Sequence, residues 1–214
     1  MIKNVIFDFD DTLTHTHRGE YTRHMKVAKK MGLPKLTKNQ FLTMWGPPWS
    51  VLISQLWPAC NVKKFQLAYK SMFGFKRHKL VGGAKKTLDY LKKKGYQIYV
   101  LSSRDDKSLM HNLQTNGIHD HFKQIHSADH AQFHKPDPRV FTDFAEQHGL
   151  NIKESAYIGD LLIDYEGASK AGMEFIAVLT GIHDKEKFVR AGLNPKNIIP
   201  SIKELPEWLM RNNK

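Results

Sequence analysis

Cysteine is almost absent: Cys60 is the only one in 214 residues. An intrachain disulfide is therefore impossible, and so is a zinc cage of several thiolates. Long apolar runs are missing too. None reaches the roughly 18 residues that a membrane span requires, so no membrane partner is expected. The first residues, MIKNVIFDFDD, turn acidic by Asp8. That is unlike a secretory signal with its small-residue cleavage site, and the cytoplasm is the expected compartment. The 12 histidines are scattered and no His-Glu-x-x-His pattern occurs, which removes that metalloprotease signature. Acid is scarce in one stretch only. Between His15 and Leu80 a single acid, Glu20, stands against 13 lysines and arginines, so this segment carries the whole net charge of +12. The rest of the chain balances 20 bases with 20 acids. Such asymmetry predicts two regions with different tasks.

What is present reads as a folded α/β protein. Hydrophobic residues are 41% and charged residues 25% of the chain, a globular and not a disordered balance. Lys3–Phe9, Gln97–Leu101, Ser155–Ile158 and Glu174–Leu179 are short, apolar and rich in β-formers, and Asn197–Ile199 adds a very short fifth run. Helical spacing separates them. Ala84, Leu88 and Leu91 mark a helix over Gly83–Lys94, and Leu109 and Leu113 mark one over Lys107–Thr115. Val140, Phe141, Phe144 and Ala145 mark Pro138–His148, and a fourth helix spans Leu162–Ala171. This alternation predicts a Rossmann-like parallel sheet with helices on both faces. The basic segment breaks the alternation. Helical stretches over Tyr21–Met31, Lys38–Trp45, Ser50–Trp57 and Val62–Phe73, each stopped by Gly or Pro, predict an inserted helical cap. The expected division is a core of residues 1–14 and 80–214 and a cap of residues 15–79.

Sites in parallel α/β sheets lie beyond the carboxyl ends of the strands. Those ends carry Asp8, Asp10, Asp11 and Thr12, then Ser102, Ser103 and Arg104, then Asp160 and Asp164. Lys135 lies in the loop before the Pro138–His148 helix. Carboxylates converging on one edge repel unless a hard cation sits between them, and oxygen-only ligands favour Mg²⁺. A hydroxyl and a lysine suit phosphoryl oxygens, so the set fits phosphoryl transfer through a carboxyl phosphate. Taken singly, each element has a plainer meaning: Gly-Asp as a turn, Ser102-Ser103 as a helix cap. Their order on successive strands is what gives the combined reading its weight.

Together the stretches DFDDTLT, YVLSSR, HKPDPRVF and IGDLLIDYEGASKAGM resemble, in order, the four motifs of the haloacid-dehalogenase-like hydrolase superfamily. The resemblance covers nearly the whole chain and is nearest to the phosphoglycolate-phosphatase-like branch, with a helical cap after the first strand. It implies Asp8 as nucleophile and Asp10 as general acid and base. It implies Mg²⁺ held by Asp8, Asp160 and the carbonyl of Asp10, with Asp164 supporting the metal's water shell or Lys135. Ser102, with Ser103 beside it, and Lys135 would bind the phosphoryl group. The implied activity is hydrolysis of a small anionic organic phosphate. Two departures stand out. Asp11 occupies a position usually held by Gly and is expected to point away from Asp10. Leu161-Leu162 replace smaller or polar residues.

Other readings are a sugar-phosphate mutase of the same fold, a phospho-receiver and a nucleic-acid-binding module. A receiver has no cap and carries an adjacent acidic pair. No nucleic-acid motif accompanies the basic segment, so nucleic acid is not the expected partner. Trp45 and Trp49 flank Gly46-Pro47-Pro48, where they either read the leaving group or pack the cap. The cap's cations either steer anions toward the cleft or solvate the surface.

Overall fold

The computed structural model describes residues 1–213. Six strands form one parallel sheet: β1 (Asn4–Phe7), β2 (Gln97–Leu101), β3 (Gln124–His126), β4 (Ser155–Gly159), β5 (Glu174–Val178) and β6 (Ile198–Ile199). The spatial order is β3-β2-β1-β4-β5-β6, that of a doubly wound Rossmann-like sheet. Register aligns Phe7 with Val100 and with Ile158, so β1, β2 and β4 end level with one another.

Both faces of the sheet are covered, which is why its strands read as continuous apolar runs. Side chains alternate across the pleat. Val5, Phe7, Ile98 and Val100 join one core with Leu88 and Leu91 of α5 (Ala84–Lys93), Leu109 and Leu113 of α6 (Asp106–Thr115), and the C-terminal helix Leu205–Asn212. Ile6, Tyr99 and Tyr157 join the other, against α7 (Arg139–Gln147), α8 (Leu162–Lys170) and the helix Lys185–Arg190. Full burial of one Leu or Ile contributes about 1.5–3 kcal/mol, so these two cores fix the sheet edge on which the site stands.

Between β1 and α5 lie α1 (His17–Lys30), α2 (Lys38–Thr43), α3 (Trp49–Leu56) and α4 (Val62–Phe73). They bury a separate core of Val27, Phe41, Leu52, Ile53, Trp57 and Phe65. The chain leaves and re-enters the sheet along paired connections. His15 N–H donates to Lys79 O at 2.9 Å and Val81 N–H to Leu13 O at 2.9 Å. No helix of the described residues is long and apolar enough to cross a membrane.

The structure adds β3 and the helices Lys185–Arg190 and Leu205–Asn212 to the elements expected from sequence. β3 has only Ile125 as an aliphatic residue, and its edge position requires little more.

Candidate active site

Asp8 follows β1 directly, and its N–H donates to Ile158 O at 2.8 Å. Asp160 follows β4, and Asp164 stands one helical turn later in α8. All three are buried, and one carboxylate oxygen from each lies within 4.8 Å of the others. Lys135, also buried, joins them: its Nζ lies 2.9 Å from Asp8 Oδ1 and 2.9 Å from Asp164 Oδ1. Two glycines make room. A Cβ on Gly181 would stand 1.8 Å from Asp160 Oδ2, and one on Gly159 would stand 2.6 Å from Asp164 Oδ2.

Both carboxylate oxygens of Asp160 are buried without a hydrogen-bond partner among the described residues. A buried, unsatisfied carboxylate is costly, and burial, with Asp11 and Asp164 as like charges, pushes the Asp160 carboxyl well above its ordinary value. Asp8 is pushed up to about 7 by burial, against the opposing pull of Lys135. A hard divalent cation reverses both effects. The donor set, all oxygen and doubly buried by the glycine cradle, therefore fits Mg²⁺.

Asp10 is turned elsewhere. Its Oδ2 accepts from Arg104 Nε at 3.1 Å and its Oδ1 from Arg104 Nη2. Burial alone would push Asp10 up, but the charge and hydrogen bonds of Arg104 hold it below the usual carboxylate range. Its side chain thus stands apart from the three-carboxylate cluster, so any metal contact of Asp10 falls to its carbonyl. Ser102 is buried, and its Oγ accepts from Arg104 N–H at 3.2 Å. That leaves its hydroxyl proton free to donate. Ser103 lines the cleft.

Asp11 points away from Asp10. It sits at φ 56°, in the left-handed region that Gly fills without strain and Asp tolerates. Its carboxylate accepts from Thr16 N–H at 2.8 Å and from His17 N–H at 3.1 Å. It thereby satisfies free donors at the start of α1, the role of a helix cap. Its charge still bears on Asp160, as noted above.

Sequence reasoning assigned no role to Arg104 and missed Tyr157. The Tyr157 hydroxyl donates to Leu101 O at 2.7 Å and accepts from Lys135 Nζ, so it fixes the lysine against β2. A tyrosine in a short, mostly apolar strand was the available signal, because a buried phenol requires a partner.

Cap and core enclose a cavity of about 120 Å³ lined on one side by Asp8, Asp10, Arg104 and Lys135 and on the other by Trp45, Trp49 and Tyr69. Trp49 lines the cleft, and its Nε1 donates to His24 Nε2 at 3.0 Å inside the cap. Leu161 gains a physical account. A Cβ on Gly46 would lie 2.8 Å from Leu161 Cδ1 and 2.6 Å from Ile163 Cδ1, so these apolar side chains dock the Gly46 turn of the cap onto the core.

Residues 5–178 match the family model described as haloacid dehalogenase-like hydrolase. The chain belongs to this hydrolase family. Among curated relatives of this hydrolase, the mouse haloacid dehalogenase-like hydrolase domain-containing protein 3 is 30% identical over 124 residues, 58% of this chain and 49% of that protein. This match thus spans about half of the mouse protein. The glyceraldehyde 3-phosphate phosphatase of Methanothermobacter thermautotrophicus is 26% identical, and the match covers 98% of this chain and 100% of that protein. Among solved structures, a hydrolase from Pseudomonas syringae superposes with a TM-score of 0.81 at 21% identity, covering 98% of this chain and 99% of that one. At that identity the likeness shows the shared fold.

Proposed function

We propose that this hydrolase is a magnesium-dependent phosphomonoester hydrolase that acts on a small organic phosphate in the cytoplasm. The observation that carries this reading is the meeting of Asp8, Asp160, Asp164 and Lys135 at one point, with both Asp160 oxygens lacking a hydrogen-bond partner among the described residues. The phosphatase named among its full-length relatives supports it.

In this reading the negative charge of the bound phosphate opposes Arg104 and raises the Asp10 carboxyl, which takes up a proton from solvent; an oxygen of Asp8 then attacks phosphorus, the bond from phosphorus to the leaving oxygen breaks, and Asp10 gives that oxygen its proton. Water then attacks the aspartyl phosphate, Asp10 takes a proton from it, and the bond between Asp8 and phosphorus breaks to release inorganic phosphate. Asp8, Asp160 and the Asp10 carbonyl would hold Mg²⁺, with Asp164 in support, and the bound ion would offset the charge that otherwise keeps a carboxylate from approaching a phosphate. Lys135, the free proton of Ser102 and the adjoining Ser103 hold the phosphoryl oxygens. Residues 15–79 act as a cap that excludes water and faces the leaving group with Trp45 and Trp49.

The test is release of inorganic phosphate from p-nitrophenyl phosphate and a panel of phosphorylated metabolites. Asp8→Asn abolishes turnover with the fold intact, and EDTA abolishes wild-type turnover until Mg²⁺ is restored. Substantial turnover in either case defeats the covalent-aspartate reading. Transfer of the phosphoryl group to a second sugar hydroxyl, without free phosphate, identifies a mutase instead.

A further inference from the structure

The loop that joins β5 to the helix Lys185–Arg190 has no task in the chemistry above, yet it reaches three segments of the site. It is pinned at both ends. Leu179 N–H donates to Ile199 O at 3.2 Å, and the Asp184 carboxylate caps the following helix through Lys187 N–H at 2.9 Å. Three residues between these anchors bear on the carboxylates. The Thr180 hydroxyl donates to Asp11 O at 2.5 Å, the carbonyl that follows that of Asp10. Gly181 leaves the room that Asp160 occupies. His183 Nδ1 accepts from Leu162 N–H at 3.0 Å. Its ring meets the buried Phe188 ring at 6.0 Å, edge to face, which fixes where the nitrogen stands.

The His183 bond fills a gap at the start of α8. A helix opens with N–H groups that have no partner inside it, and the residue before the helix ordinarily supplies a side-chain oxygen. Here that residue is Leu161, which has none. Leu161 N–H is taken by Asp164 Oδ2 at 3.2 Å, and Leu162 N–H by the imidazole of the loop after β5. Asp164 rides on this tethered turn with Oδ1 turned to Lys135. One loop thus holds the segment after β1 through Thr180 and the segment after β4 through His183. Resting on the magnesium reading above, we propose that Thr180 and His183 are positioning residues of the metal centre. Through Asp11 O and Leu162 N–H they hold the segments that bear Asp10 and Asp164 at the spacing a divalent cation requires. Groups that orient ligands without touching the metal are worth about 10- to 100-fold in its affinity.

The experiment uses the full chain with Mg²⁺ alone as the probe. A Mg²⁺ dissociation constant is taken from the rise in stability with Mg²⁺ concentration, which needs no turnover, and is compared with the Mg²⁺ dependence of p-nitrophenyl phosphate hydrolysis. His183→Leu removes the acceptor, whereas His183→Asn puts a carbonyl oxygen where Nδ1 stands. Thr180→Val removes the hydroxyl at nearly constant shape, and Thr180→Ser keeps it. His183→Leu and Thr180→Val each weaken Mg²⁺ binding by about 10-fold or more, and saturating Mg²⁺ recovers most of the lost turnover. His183→Asn and Thr180→Ser stay close to the wild type. A merely structural loop lowers the melting temperature of the metal-free protein and leaves the dissociation constant unchanged. That result in His183→Leu and Thr180→Val overturns the proposal, as does an equal weakening in His183→Leu and His183→Asn. If His183→Leu does not fold, the two Thr180 variants decide by the same comparison. Absence of any Mg²⁺ effect on wild-type stability and turnover defeats the magnesium reading and this proposal with it. A rise in stability without turnover of any ester defeats the phosphatase reading alone, and the dissociation constants still decide the proposal.

Discussion

Core and cap use charge in opposite ways. In the core, charges of both signs balance overall, and the decisive ones are buried and in contact: Lys135 with Asp8 and Asp164, Arg104 with Asp10. In the cap every lysine and arginine except Arg23 is exposed, and none of those makes an ion pair among the described residues. The single cap acid, Glu20, is buried with Arg23, Tyr69 and His24. Buried pairs act over a few ångströms in a low dielectric, whereas exposed like charges act through solvent and fade with salt. The buried pairs of the core are therefore shielded from salt, and the exposed cations of the cap are not.

The contrast is broken most sharply at Asp10. Asp10→Asn slows alkyl phosphates by about 10²–10⁴-fold, the usual worth of positioned acid–base catalysis, and slows activated aryl phosphates far less because they leave without a proton. Parallel kinetics on both ester types check this, and equal losses assign Asp10 to structure or metal holding.

Glu20 is the point where the cap behaves like the core. Burial alone would raise its carboxyl, yet hydrogen bonds and charge from His24 and Arg23 hold it well below the ordinary range. Glu20→Gln strands Arg23, whose side chain is 17% exposed, and costs about 3 kcal/mol, the lower end for a broken buried pair. Urea unfolding measures it, and a change under about 1 kcal/mol shows that solvent already screens the pair.

His126 sharpens the comparison from the core side. Burial, with repulsion from His130 and His148, pushes its imidazole down to about 4 from an ordinary 6.5. Between those values the unfolded chain takes up a proton that the folded chain refuses, so stability is full above 6.5 and falls as pH drops toward 4. Melting temperatures at pH 7 and pH 4.5 check it. The wild type loses more than His126→Phe over that interval, and equal losses trace the acid sensitivity to other groups.

The smallest effect is the cap's field. kcat/KM falls as salt rises, mostly between 0.01 and 0.1 M, where the Debye length shrinks from about 30 to about 10 Å. Reversal of Lys29, Lys30, Lys63 and Lys64 to Glu flattens this dependence while kcat changes little. A flat profile in both proteins leaves the cap cations a purely solubilising role.

Much of the fold was legible because buried parallel strands write continuous apolar runs: β1, β2, β4 and β5 lie within or at one residue of the expected segments. β3 was not, because Gln124, Ile125 and His126 form an edge strand with one aliphatic side chain. The C-terminal helix carries a readable signal in Leu205, Trp208 and Leu209, with Pro206 in its first turn. Asp8, Asp160, Asp164 and Lys135 were all named from sequence, and the structure brings them together. The roles of Tyr157 and of Arg104 against Asp10 were not legible there, since a strand tyrosine and a loop arginine have many ordinary uses.

By itself the sequence determined the inventory and its order: acids after β1 and β4, serines after β2, a lysine before α7, and all net charge between His15 and Leu80. Parallel strands separated by helices put those ends on one edge, so order along the chain becomes proximity in space. Only the tertiary structure decided which way each carboxylate turns. Asp8 faces Lys135, 127 positions along the chain, and Asp10 faces Arg104, 94 positions along. Asp11, in a left-handed backbone conformation, turns to the start of α1. Such choices rest on single dihedral angles and on distances of a few ångströms between segments far apart in sequence, quantities that no local spacing of residue types encodes.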